Sequence, residues 1–343
     1  MQKPAHPARQ TDISLLRILA TLSVVFLHTN SALLDRPDLY ALNPQQTLLL
    51  TLGKQCMNWA VPVFLMLTGA LLLDPRRQLT FRLCAGKYAR RALLALFVFG
   101  VPFSILEQVM NTRMLTFSML PQAFLQVISG DSWAHLWYLY TLIGLYLLLP
   151  VFKRFTDAAS RDELGSILLV LFLFQFLLPP LRTLFDLQIA FEIPVAGTAP
   201  FYLLMGRFLY DRLPACLQSR RRNLLLLLTT FACTLLVLLV FRTEAYLEYL
   251  TPVYAVLIFC LFRGLHPDER RTGLLWAIDR LCFGVYLVHP VFINFVYKFL
   301  KVTPLSFSAY PLMVFVFFSA FCVLAFLASK ALTMIPPLKK HVL

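Results

Sequence analysis

The stretch TDISLLRILATLSVVFLHTN (residues 11–30) is apolar, yet it carries an arginine at Arg17 and a histidine at His28. At 100° per residue an interval of eleven returns to within about 20° of its start. On a helix the two side chains therefore share one face, roughly 16 Å apart along the axis. A histidine of near-neutral pKa can take a proton from a hydroxyl and return it to a leaving group, which suits acyl transfer. A cationic arginine nearer the other end of the helix can hold a phosphate or a thioester carbonyl. The competing reading is structural, with Arg17 snorkelling to headgroups and His28 packing through a hydrogen bond. Their common stripe favours a polar cavity inside a bundle, because ionisable groups at membrane depth usually face one.

The elements that must position such a stripe are membrane helices. Apolar residues make up 59% of the 343 and charged residues 14%, with a mean hydropathy of +0.73, which excludes an ordinary soluble core. The apolar runs rich in Leu and Phe do not alternate with a period of two, so an all-α transmembrane bundle is expected and not a barrel. Ten spans are predicted, near 13–34, 47–73, 89–109, 133–152, 164–181, 198–211, 223–241, 250–263, 281–300 and 309–334, the sixth and eighth being short. With the N-terminus inside, 23 Lys and Arg fall on the inner side. The outer side holds 7: Arg36, Lys54, Arg113, Arg182, Arg242, Lys298 and Lys301. The positive-inside rule thus puts both termini in the cytoplasm and accounts for the net charge of +14 without nucleic acid. The expected organisation is a head at 1–12, a transmembrane domain at 13–334 and a tail at 335–343. The head MQKPAHPARQ lacks a signal-peptide pattern, so the first span is read as a retained helix. The seven cysteines have no CxxC spacing and no pair in an outer loop, so neither a disulfide nor a metal site is expected.

Several segments together resemble one family. Asp12, Arg17 and, after ten intervening residues, His28 are similar to the first-helix signature of the acyltransferase type 3 family of membrane proteins. VPVFLMLTGALLL (61–73) resembles its second-helix motif, followed by the basic stretch FRLCAGKYARR (81–91). HLWYLYTLIGLYLLLP (135–150) and FGVYLVHPVF (283–292) look like its fourth-helix and late-helix motifs. Thr68 stands where a serine is usual before the glycine, here Gly69, keeping a hydroxyl and adding a methyl. FEIP (191–194) and FYLLMGRFL (201–209) are similar to segments of the stand-alone bacterial polysaccharide O-acetyltransferases in that family, such as that of enterobacterial common antigen. The resemblance implies catalysis by His28, Arg17 and Asp12. It also implies acetyl-CoA or another acyl-CoA as cytoplasmic co-substrate, with no permanently bound cofactor, and a sugar hydroxyl of an envelope glycan or lipid-linked precursor as acceptor.

Other residues are candidates with structural alternatives. His135, Trp137 and Tyr138 open the fourth span, where aromatic rings either line a sugar site or form an interfacial belt. Glu192 is read as a solvated loop charge or as a group that orients the acceptor. His289, before Pro290, is read as a cavity group or as a packing histidine at a kink. Arg82, Lys87, Arg90 and Arg91, with Arg76 and Arg77, mark topology and anionic lipid or else hold the phosphates of CoA. The expected protein is thus an O-acetyltransferase of the bacterial inner membrane. A transporter or flippase without covalent chemistry is the alternative, since a polar stripe also describes a substrate path.

Overall fold

The computed structural model describes residues 11–343 apart from 37–39, 189, 194, 196, 242–245, 264 and 266–268. The expectations for the head up to residue 10, with Lys3 and Arg9, and for Pro194 and Arg242 lie outside the described residues. So do the side chains of Arg270 and Arg271.

The described residues are helical, with no strand among them. Among the described residues, eight helices are long and apolar enough to cross a membrane. The first is α1 (Thr11–Leu34). The next transit is split into α2 (Pro44–Gln55), begun by a reciprocal Asn43/Gln46 capping box with proline at the first helical position, and α3 (Ala60–Leu72). Then come α4 (Phe81–Thr112), α5 (Met119–Ser129), α6 (Trp137–Ala158) and α7 (Arg161–Phe185), the last started by a Ser160/Glu163 capping box. After them follow α8 (Ala199–Asp211), α9 (Arg220–Phe241), α10 (Leu247–Phe262) and α11 (Glu269–Asp279). The chain ends with α12 (Cys282–Asn294, extended by a π-helical turn over Phe295–Phe299), α13 (Tyr310–Leu332) and α14 (Pro336–His341).

The expected sixth and eighth spans are α8, of 13 residues, and α10, neither long enough to cross a bilayer upright. Both are packed into the bundle, α8 against α3 and α10 against α9 and α3. The α3–α8 crossing brings two backbones into contact. A methyl on Gly69 would stand 1.8 Å from the Leu203 carbonyl oxygen, and one on Gly206 would stand 1.9 Å from that of Met66. Small residues at such crossings let helices approach where lipid supplies no hydrophobic drive. The amphipathic α5 was not expected from the sequence; it lies between the third and fourth long spans and packs on α4. The segment expected as a tail also returns to the bundle: Val342 is buried, and its carbonyl accepts from Arg91 Nε at 2.8 Å.

Candidate active site

The site is built on α1, which packs against both α11 and α12 and meets each through a polar contact, at two levels. At the lower level, the basic end of the bundle, Arg17 Nη1 donates to both carboxylate oxygens of Asp279, at 2.6 and 2.8 Å. Ser14 Oγ donates to the same carboxylate at 3.0 Å. At the upper level His28 Nδ1 lies 3.2 Å from His289 Nε2. Arg17 and His28 are eleven residues apart, Asp279 and His289 ten, so the two segments rise side by side and meet twice.

Backbone chemistry sets the ring tautomers at the upper level. Pro290 has no N–H to offer the carbonyl four residues before it, which is that of Tyr286. His289 Nδ1 takes over that role, donating to Tyr286 O at 2.8 Å, with Val285 O at 3.1 Å. Nε2 of His289 is then an acceptor facing His28. His28 Nδ1–H points to Val24 O at 2.9 Å and shares its proton with His289, which leaves Nε2 of His28 as the lone-pair nitrogen. His135 completes the cluster. Its ring centroid lies 6.4 Å from that of His28 and 5.7 Å from that of His289, while His28 and His289 are 5.0 Å apart. His135 Nε2 bonds Leu287 O at 3.3 Å, and Tyr286 Oη donates to the His135 carbonyl at 2.6 Å.

Beneath this cluster lies a cavity of about 1020 Å³, at the upper end of the ~300–1,000 Å³ typical of ligand sites. Its mouth carries Arg76, Arg77, Arg91 and Arg280, its wall Arg17 and Asp279, and its apolar part Tyr138, Tyr146, Phe283 and Tyr286. Tyr286 therefore touches both the cavity and the histidine cluster. Thr68 also lines the cavity, and its hydroxyl is returned to the Phe64 carbonyl at 2.9 Å. At the mouth, the hydrogen bonds from Arg76 hold the Asp74 carboxyl down to about 2, so Asp74 stays ionised at any physiological pH.

The remaining sequence candidates separate. His135 and His289 join His28, and Tyr138 and Arg91 join Arg17 at the cavity. Arg82, Lys87 and Arg90 are exposed and outside its lining. The π-helical turn Cys84–Ala89 within α4 shifts the helical phase, presenting Tyr88 and Arg91 to the cavity. Asp12 is buried in the first turn of α1, where Oδ1 accepts from the Ile13 N–H at 2.8 Å. Trp137 is 53% exposed on the outside of α6, and Glu192 is exposed in the connection before α8. Sequence reasoning missed Asp279, Tyr286 and Arg280. The signal for Asp279 was available: a carboxylate just before a span, at nearly the interval from His289 that separates Arg17 from His28.

The family model described as an acyltransferase domain, acyltransferase 3, matches residues 10–334. No curated protein and no solved structure matches the chain. The match runs through every helix that forms the cavity and the histidine cluster, from α1 to α13, and the chain belongs to the acyltransferase 3 family of membrane acyltransferases.

Proposed function

We propose that the protein is an O-acetyltransferase that moves an acetyl group from cytoplasmic acetyl-CoA to a sugar hydroxyl of an envelope polysaccharide or its lipid-linked precursor, in a bacterial inner membrane. One observation carries this reading: an arginine-rimmed cavity whose inner wall, Tyr286, hydrogen-bonds into a cluster of three histidines. The basic end is the cytoplasmic one by the positive-inside rule, so the arginines Arg76, Arg77, Arg91 and Arg280 meet the phosphates of CoA there. Arg17 stands roughly 16 Å below His28, too far to touch a thioester reacting there. Its Nη1 is committed to Asp279, so Nε and Nη2 serve the diphosphate or the amide carbonyls of the pantetheine arm. The apolar wall of Tyr138, Phe283 and Tyr286 guides the arm towards the cluster.

In the transfer, His28 Nε2 takes the proton of the sugar hydroxyl as its oxygen attacks the thioester carbonyl. A C–O bond forms, the C–S bond breaks as the tetrahedral intermediate collapses, and the proton passes from His28 to the departing CoA sulfur. While His28 carries that proton, the Val24 carbonyl and His289 Nε2 accept from its Nδ1–H and stabilise the imidazolium. The test is incubation of purified protein in nanodiscs with radiolabelled acetyl-CoA and an envelope glycan extract. Alkali-labile label on glycan is expected. Glycan that stays unlabelled, or that crosses a vesicle membrane unmodified, would favour a transporter.

A further inference from the structure

The acceptor side has a hydrogen-bond donor that the protein itself does not use. Trp133 is 8% exposed, and its Nε1–H is buried without a partner. A buried indole N–H nearly always has one, since leaving it unpaired costs the full desolvation of the group. The ring stacks on Phe103 with centroids 4.5 Å apart and planes at 18°, so one of its faces is covered. It lies 6.2 Å from the ring of His135, and Phe103 lies 5.9 Å from the same ring. Trp133 precedes the 3-10 turn Ala134–Leu136 that begins the transit through α6, on the side of the cluster away from the arginine-rimmed mouth. The surroundings are polar for a membrane interior. Ser104 Oγ donates to Ser132 Oγ at 2.9 Å, and Ser132 Oγ donates to the Gly100 carbonyl at 3.2 Å. One turn beyond Phe103 on α4, Glu107 accepts from Lys298 Nζ at 2.9 Å.

We infer that Trp133 is an acceptor-binding residue, its Nε1–H donating to an oxygen of the sugar while the Phe103–Trp133 pair forms an aromatic wall beside the histidines. The inference rests on the proposed O-acetyl transfer and deepens it, because it places the acceptor on the face of the cluster opposite the donor cavity. It also separates Trp133 from Trp137, whose ring stands on the exposed side of α6.

The test is Trp133→Phe in nanodiscs, which keeps a ring against Phe103 and deletes the N–H. Acceptor KM is measured with the envelope glycan extract titrated in hexose equivalents, together with acetyl-CoA Kd and thermal stability without acceptor. The expected result is a roughly three- to tenfold rise in acceptor KM, the loss of one neutral hydrogen bond, with acetyl-CoA Kd unchanged. Stability without acceptor should fall only by the packing lost with the smaller ring, since no protein hydrogen bond is removed. An unchanged acceptor KM would overturn the inference and assign the N–H to water. A fall in kcat at constant KM would overturn it by moving the N–H to the acyl oxygen. If wild type itself transfers no acetyl, the parent reading fails and this inference with it. If wild type is active and Trp133→Phe matches it, only the inference fails.

Discussion

Replacing Asp279 with asparagine tests how the donor is held, because orientation and bulk charge predict opposite signs. The substitution keeps the shape and removes the charge that fixes Arg17. The carboxylate receives one guanidinium nitrogen at both oxygens and one serine hydroxyl, with side-chain exposures of 31% for Arg17 and 8% for Asp279. A hydrogen bond to a charged group contributes ~1.5–3 kcal/mol, and the partial exposure of Arg17 lets solvent replace some of it, so a coupling of about 2 kcal/mol is expected. At 1.4 kcal/mol per factor of ten that is a roughly 10- to 30-fold fall in kcat/KM for acetyl-CoA. Simple electrostatics gives the reverse, since losing a negative charge beside a cationic site attracts the polyanionic CoA more strongly. The assay is steady-state transfer with varied acetyl-CoA for Asp279→Asn, Arg17→Ala and the double variant, whose effects should fall well short of additive. Fully additive losses, or a higher kcat/KM in Asp279→Asn, would show that the pair does not position the donor.

Other consequences follow from the same geometry. His28→Ala should lower kcat by roughly 10²- to 10⁴-fold with the folded fraction unchanged by size-exclusion chromatography and thermal melting, because a general base is lost and not a core side chain. Gly69→Ala should destabilise at or above the upper end of the about 1–3 kcal/mol that overpacking costs, since its methyl would meet the Leu203 carbonyl; the check is melting temperature in detergent. The Asp74 carboxyl is depressed from 3.8 to about 2 by Arg76, so its contribution to stability is fully present above the unfolded value and is lost as pH falls through the folded one. The melting-temperature gap between wild type and Asp74→Asn should therefore stay constant from about pH 7 to pH 5 and close towards about pH 2.

The helical bundle was legible because a bilayer forces long apolar runs to satisfy their backbones internally, and α1 falls where the first run was drawn. Periodicity also placed Arg17 and His28 on one face. Which helices that face meets is a tertiary matter, so Asp279 and the His28–His289 contact emerged only with the packing of α11 and α12 on α1. The short α5 escaped because an 11-residue amphipathic helix resembles neither a span nor a loop. The choice between Trp133 and Trp137 was out of reach for a related reason. The 3-10 turn Ala134–Leu136 advances about 120° per residue instead of 100°, so phases extrapolated back from α6 do not hold before it. Likewise the π-helical turn in α4 divides a basic run that looked uniform, sending Arg91 to the cavity and Arg90 away from it.

The central claim is that an acetyl group passes through the bundle, from a donor cavity at the basic end to an acceptor beyond the histidines. Oriented proteoliposomes test it most directly, with radiolabelled acetyl-CoA supplied only on the basic, cytoplasmic side and glycan confined to the other. Wild type should place alkali-labile label on the enclosed glycan, and His28→Ala should not. Labelling that requires donor and acceptor on the same side, or that survives His28→Ala undiminished, would contradict it.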